Sequence, residues 1–353
     1  MVDSKPTQEC DDLTGLGKVA FATLTTIENP AVVLAASRAP QTDSADDEDK
    51  DKPSEDSTES ELKSAIRGPE LNVDDLNQTR ANAELCDVAA QVRLGDTYLE
   101  GRGVPQDYQL AMEWFLKAAE QGDPGGERNV GHTHCMGHGV PQDYKIGMEW
   151  FFKAAKQGDA QAQCNIGNMY SKGQGVSRDD KHAAEWYRKA AEQGNPNAQG
   201  ALGKLNQNGD GVTLDYTKAM EWYLKASRQG NDHAQADIGF LHHYGQGVPK
   251  DYATAVRWSL QAAEQDNILA QRRLGHMHEY GQGVPQDYSK AMEWYRKAAD
   301  QGDGRASDRV GHLYHKGLAV PKDLTKAIEW YKKAYKEGNN DPYDNAQIAS
   351  GER

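Results

Sequence analysis

The sequence predicts an all-α protein: a right-handed α/α superhelix of seven helix–turn–helix repeats, each 36 residues long, behind a disordered N-terminal arm. Three observations predict it. The seven tryptophans, Trp114, Trp150, Trp186, Trp222, Trp258, Trp294 and Trp330, stand 36 residues apart. Aligned on them, a glycine column (Gly95, Gly131, Gly167, Gly203, Gly239, Gly275, Gly311) and an aspartate column (Asp107, Asp143, Asp179, Asp215, Asp251, Asp287, Asp323) come into register, as does a valine column from Val104 to Val320. Within each unit the apolar residues recur at helical spacing, and a fixed period of this length is the mark of tandem duplication.

The unit Ala89–Pro124 shows how each element arises. Ala90, Leu94 and Tyr98 form one apolar stripe on a first helix. Gly95 interrupts it at a cost of about 1 kcal/mol in helix propensity, which a close approach by a neighbouring helix would justify. Gly101-Arg102-Gly103 breaks the helix, Val104-Pro105 turns the chain, and Asp107 stands where an N-cap is wanted. The second helix carries Ala111, Trp114, Phe115, Ala118 and Ala119 on one stripe, and Gly122 with Asp123-Pro124 ends it. A helix pair cannot bury both stripes alone, whereas stacked pairs can. The tryptophans are accordingly expected in the structural core of the repeats.

These units resemble the Sel-one-like repeat family, relatives of the tetratricopeptide repeat. The string LGDTYLEGRGVPQDYQLAMEWFLKAAEQGDP carries the resemblance and returns from Leu274 as LGHMHEYGQGVPQDYSKAMEWYRKAADQGD. The repeats fall near 89–124, 125–160, 161–196, 197–232, 233–268, 269–304 and 305–339, in a solenoid domain of residues 81–339. Three substitutions depart from the pattern: Gly147 for an alanine, Asp266 for a capping glycine and Ala319 for the second turn glycine. The resemblance implies a non-catalytic scaffold or adaptor that binds other proteins or peptides on a concave face lined by the first helices. Relatives serve in ER-associated degradation and in activating cell-wall synthases, so a regulatory subunit or activator of one enzyme is the alternative, and a metal-binding protein or hydrolase a more distant one.

Charge separates the arm from the repeats. Of the net −14, residues 1–88 carry −12 and the rest −2. Neither part has the basic excess that nucleic acid requires. Residues 1–80 are expected to be mostly disordered, above all Ser44–Glu61, which is acidic and without aromatics. Residues 340–353 form a tail resembling the start of a further unit, displaced and cut short. Cys10, Cys86, Cys135 and Cys164 occupy unrelated repeat positions and read as free thiols of a reducing compartment. With no signal peptide or apolar span in view, the expected location is the cytoplasm, with the nucleus compatible and secretion and membrane insertion not expected.

Several motifs invite chemistry. His132-Thr133-His134-Cys135 with His138 has the residue types of a metal cluster, but His134 falls in a core tyrosine column and His138 between turn glycines, so convergence on one ion is not expected. Gly15-Leu16-Gly17-Lys18 lacks the full phosphate-loop pattern, and Ser60 to Lys63 matches S-x-x-K without its partner motifs. No nucleophile–base set stands out. The reading is therefore no enzyme, no cofactor, no metal.

The informative columns are those that vary. By analogy with tetratricopeptide repeats, the exposed first-helix positions are those of Val92, Asp96, Leu99 and Glu100. From the fifth unit onward they gather Phe240, His243, Tyr244, His276, Tyr280, His312 and His315, which we take as the candidate partner-binding residues. Histidines at an ordinary pKa of about 6.5 would make binding change between about pH 5.5 and 7.5.

Overall fold

The computed structural model describes residues 73–339. The acidic arm, the Gly15–Lys18 and Ser60–Lys63 motifs and the tail 340–353 lie outside the described residues. Among these, the chain forms fifteen helices and no strand: α1 (Val73–Glu84), α2 (Val88–Glu100), α3 (Tyr108–Glu120), α4 (Pro124–Met136), α5 (Tyr144–Lys156), α6 (Ala160–Lys172), α7 (Asp180–Glu192), α8 (Pro196–Asn208), α9 (Tyr216–Ser227), α10 (Asp232–Tyr244), α11 (Tyr252–Ala263), α12 (Ile268–Tyr280), α13 (Tyr288–Asp300), α14 (Gly304–Lys316) and α15 (Leu324–Lys336). The chain divides into two units, Met1–Ala111 and Met112–Arg353.

In the first unit, α1 begins inside the segment expected to belong to the arm. It takes the place of a second helix. Leu76, Thr79 and Ala83 are buried, and each stands 36 residues before Met112, Phe115 and Ala119, while Gln78 holds the tryptophan position. Gln91 of α2 donates to the Ala83 carbonyl at 3.1 Å, and Arg80 donates to the Tyr98 hydroxyl at 2.8 Å. Cys86 follows at φ 64° in the column of Gly122. It is disulfide-bonded, which corrects the expectation of four free thiols; Cys135 and Cys164 are free and buried.

In the second unit, every core cluster joins the second helix of one repeat to the first helix of the next. Met148, Phe151, Ala154 and Ala155 pack with Ala162, Ile166 and Met169, and Ala219, Met220, Tyr223 and Ala226 pack with Ala234, Ile238 and Leu241. The valine of the following turn (Val176, Val248) closes the edge of each cluster. The tryptophans lie at the margin, half-buried, and all but Trp258 have a lysine one turn on over the ring, as Lys153 over Trp150 at 3.5 Å and Lys225 over Trp222 at 3.9 Å. The centre belongs to the residue after each tryptophan, and Tyr223 and Tyr295 are the largest fully buried side chains.

Both helices of a repeat are capped by their sequence. Asp143 accepts from the amides of Lys145 and Ile146, and its equivalents cap the other second helices. Asp123-Pro124, expected to stop a helix, also starts the next: Asp123 is its N-cap and Pro124 enters the first turn, where no amide is needed. The three departures keep the pattern. Asp266 and Ala319 adopt φ 61° and 66° despite their side chains. Gly147 leaves room for the Cys135 sulfur, which stands where an alanine methyl would be.

Amides also tie the first helix of each repeat to the end of its second. Gln193 donates to Gln163, Gln229 to Gln199, Gln265 to Gln235 and Gln301 to Gln271, at 2.8–3.0 Å. Carboxylates take part in two further pairs, with Gln157 donating to Glu127 at 2.9 Å and Ser307 to Glu337 at 2.6 Å. Burial pushes the Glu127 carboxyl above its ordinary range, against the opposing pull of the Gln157 hydrogen bond and Lys153. Glu127→Gln should therefore stabilise the chain by roughly 0.5–1 kcal/mol at neutral pH. A carboxyl raised in the folded state contributes fully below its unfolded pKa and loses that contribution as pH rises through the folded value. The gain should thus grow from about pH 4 to about pH 7, and thermal melts of both proteins at the two pH values measure it. Equal melting temperatures at pH 7 would refute the assignment.

Candidate functional site

Where α10 and α12 lie side by side, their C-terminal turns bring five rings into a continuous ladder. Phe240 and Tyr244 stand 4.6 Å apart between ring centroids, Tyr244 and His243 4.6 Å, His243 and His276 6.1 Å, and His276 and Tyr280 4.5 Å. The i, i+4 spacing of Phe240 with Tyr244, and of His276 with Tyr280, puts each pair on one helix face. Tyr244 and Tyr280 are 59% and 50% exposed, a large aromatic surface left facing solvent.

The ladder borders a pocket of about 1130 Å³. Phe240, His243, Tyr244 and His276 form one wall; Arg272, Arg273, Tyr295 and Arg309 stand beside them, and the turn into α14 and residues 337–339 complete it. Tyr280, His312 and His315, expected with the others, do not line the pocket. Tyr280 joins through His276, while His312 and His315 lie half-buried further along α14.

The column of Leu99 is not the exposed one expected. Cys135, Gln207, His243 and Glu279 are all buried. The cause is the core tyrosine of the same repeat: Tyr223 donates its hydroxyl to Gln207 at 2.6 Å and Tyr295 to Glu279 at 2.7 Å, so this position faces the partner helix. Burial pulls the His243 pKa down to about 4, helped by His276, Lys250 and Arg273. Burial also lowers His276 and His312. These three rings are therefore neutral around pH 7, and the expected titration between about pH 5.5 and 7.5 shifts towards acid.

The arginines were missed. Arg273 occupies a column that varies like a surface (Asn129, Asn165, Ala201, Asp237, Arg273, Arg309) beside those chosen. Its guanidinium lies 4.8 Å from the Phe240 ring centroid, donates to the Ala236 carbonyl at 2.5 Å and stands 3.9 Å from Asp237. Arg272 pairs with Asp303 at 3.0 Å, and Arg309 stands 3.9 Å from Glu279. Single-column scanning could have flagged the arginines, but not their pairing.

Elsewhere, His132 and His138 meet edge to face at 6.3 Å, and burial raises the Cys135 thiol to about 11. Among the described residues no three His, Cys, Asp or Glu side chains are grouped to hold a metal ion, and no helix is long and apolar enough to cross a membrane.

A scan of family models matches the Sel1 repeat at residues 88–123, 124–159, 160–195, 196–231, 232–267, 268–303 and 305–339. No curated protein matches the chain. Among solved structures, it is similar to a protective antigen present in uropathogenic Escherichia coli strains and displaying an SLR fold, at 39% identity and a TM-score of 0.63. That match covers 77% of this chain but only 57% of the antigen. It is also similar to a Sel1 repeat protein from Oxalobacter formigenes, at 33% identity and a TM-score of 0.64, over 69% of this chain and 96% of the other. With seven consecutive matches spanning most of its length, the chain belongs to the Sel1 repeat family.

Proposed function

We propose that this chain is a non-catalytic scaffold that holds a protein or peptide partner on the first helices of the fifth to seventh repeats. Proteins of this family generally mediate protein–protein interaction. The observation that carries the location is the ring ladder from Phe240 to Tyr280, ending in two exposed tyrosines beside a pocket with several guanidinium groups. Aromatic and arginine side chains are the groups that most often anchor an interface. Tyrosine in water gains little; once covered by a partner, each contributes on the order of 1–2 kcal/mol.

Tyr244→Ala combined with Tyr280→Ala should therefore weaken capture of the chain's partners from its own cells at least about tenfold, with circular dichroism unchanged because both side chains are exposed. A folded double variant that retains every partner at the original level moves the binding face elsewhere.

A further inference from the structure

We infer that the pocket beside the ring ladder is the docking site of the chain's own segment Asp341-Pro342-Tyr343-Asp344, and that a partner enters by presenting the same chemistry, an aromatic ring flanked by carboxylates. This inference rests on the reading of that face as the partner site.

Proximity is the first argument. Glu337, Gly338 and Asn339 line the pocket, so the segment that follows leaves from its rim. At no more than about 3.6 Å per residue, Tyr343 lies within roughly 14 Å of Asn339 without any linker. The pocket, at about 1130 Å³, is at or beyond the upper end of small-molecule sites, which reach on the order of 1,000 Å³, and suits several side chains at once.

Chemistry is the second. Arg272, Arg273, Arg305 and Arg309 line the pocket together with Asp303, Asp308 and Glu337. Two of those carboxylates are engaged by the fold: Asp303 caps α14 through the Ala306 amide at 2.7 Å and pairs with Arg272, and Glu337 accepts from Ser307. Arg309, 3.9 Å from Glu279 and 41% exposed, and Arg305, exposed, face solvent and are placed to meet Asp341 and Asp344. Phe240, Tyr244 and His276 offer faces and edges for the Tyr343 ring.

The third argument removes the competing course, in which the tail stacks on α15 as an eighth first helix. That helix would need the small column of Ala119, Ala155, Ala191, Ser227, Ala263 and Ala299, all buried. The fit there is close: a Cβ on Gly126 would come within 2.7 Å of the Ala118 Cβ and 2.8 Å of the Ala119 nitrogen. In the last repeat this column holds Tyr335, 59% exposed, whose ring stands where the next helix would pack.

The test uses a fluorescein-labelled peptide of residues 337–353, with binding read by anisotropy against the full chain. Its hosts are the unaltered protein and the variant Asp341→Asn, Tyr343→Ala, Asp344→Asn. The peptide should bind the variant with a Kd below about 100 µM. A tethered tail at an effective concentration in the millimolar range should make it bind the unaltered chain at least about tenfold more weakly. Adding Tyr244→Ala and Arg309→Ala to the tail variant should abolish binding. Equal affinity for the two hosts, a Kd above about 100 µM at the variant, or binding indifferent to Tyr244 and Arg309 would each overturn the inference. If the peptide fails while the Tyr244, Tyr280 double variant still loses partners, the tail reading alone is wrong; if the peptide binds but no partner depends on the tyrosines, the partner reading is.

Discussion

Replacing Tyr223 with alanine should cost about 3–5 kcal/mol, more than removal of the neighbouring Trp222. Tyr223 is wholly buried, in the cluster that joins the fourth repeat to the fifth. Its hydroxyl donates to Gln207, and burial holds the phenol far above its ordinary pKa. Truncation therefore opens a cavity and also leaves the Gln207 carbonyl oxygen without its donor. Trp222 is only half-buried under the Lys225 ammonium, and its loss should cost roughly 2 kcal/mol. Urea denaturation followed by circular dichroism ranks the two. A larger loss at Trp222 would show that the tryptophan column, not the one after it, is the centre of the core.

The second large effect is a reversal of sign. A Cβ added at Gly203 would lie 2.7 Å from Cδ1 and Cε1 of Tyr223, and that ring has nowhere to go. Gly203→Ala should destabilise by about 1–3 kcal/mol through overpacking, even though alanine is the better helix former by about 1 kcal/mol. In the Tyr223→Ala background the ring is gone, so the same substitution should stabilise by up to about 1 kcal/mol. The double-mutant cycle measures the difference directly. Additive effects would mean that the glycine is kept for another reason.

This ring explains what the sequence could and could not reveal. The tryptophan register exposed the repeats because tandem copies leave a fixed period, and the caps followed from residue chemistry at Asp107 and its equivalents. The glycine column also announced a close approach. What approaches, the aromatic ring of the paired helix, depends on side-chain direction, which periodicity alone does not give. The same gap hid the burial of His243, which sits opposite its own repeat's second helix, and with it the lowered pKa. Helix α1 escaped notice because Gln78 and Thr79 replace its aromatic residues, leaving Leu76 and Ala83 as the only apolar trace of the repeat. The pocket arginines stood in a column that varied as visibly as the chosen ones. Their significance lies in pairings such as Arg309 with Glu279, which cross from one repeat to the next.

The glutamine rungs bear on how such a chain changes length. Each interior unit is closed on itself by the same two residues, one from its first helix and one from the end of its second, a constant 30 positions apart, as in Gln163 with Gln193 and Gln235 with Gln265. Excising or duplicating one 36-residue unit between Gln163 and Gln301 in register would carry such a pair along whole or rejoin glutamine to glutamine. Two other units vary the pair without losing it: Gln157 meets Glu127, and Ser307 meets Glu337. Recombination within the gene can therefore add or remove interior units without breaking a closure, because the closure travels with the unit or is remade from the same two residues.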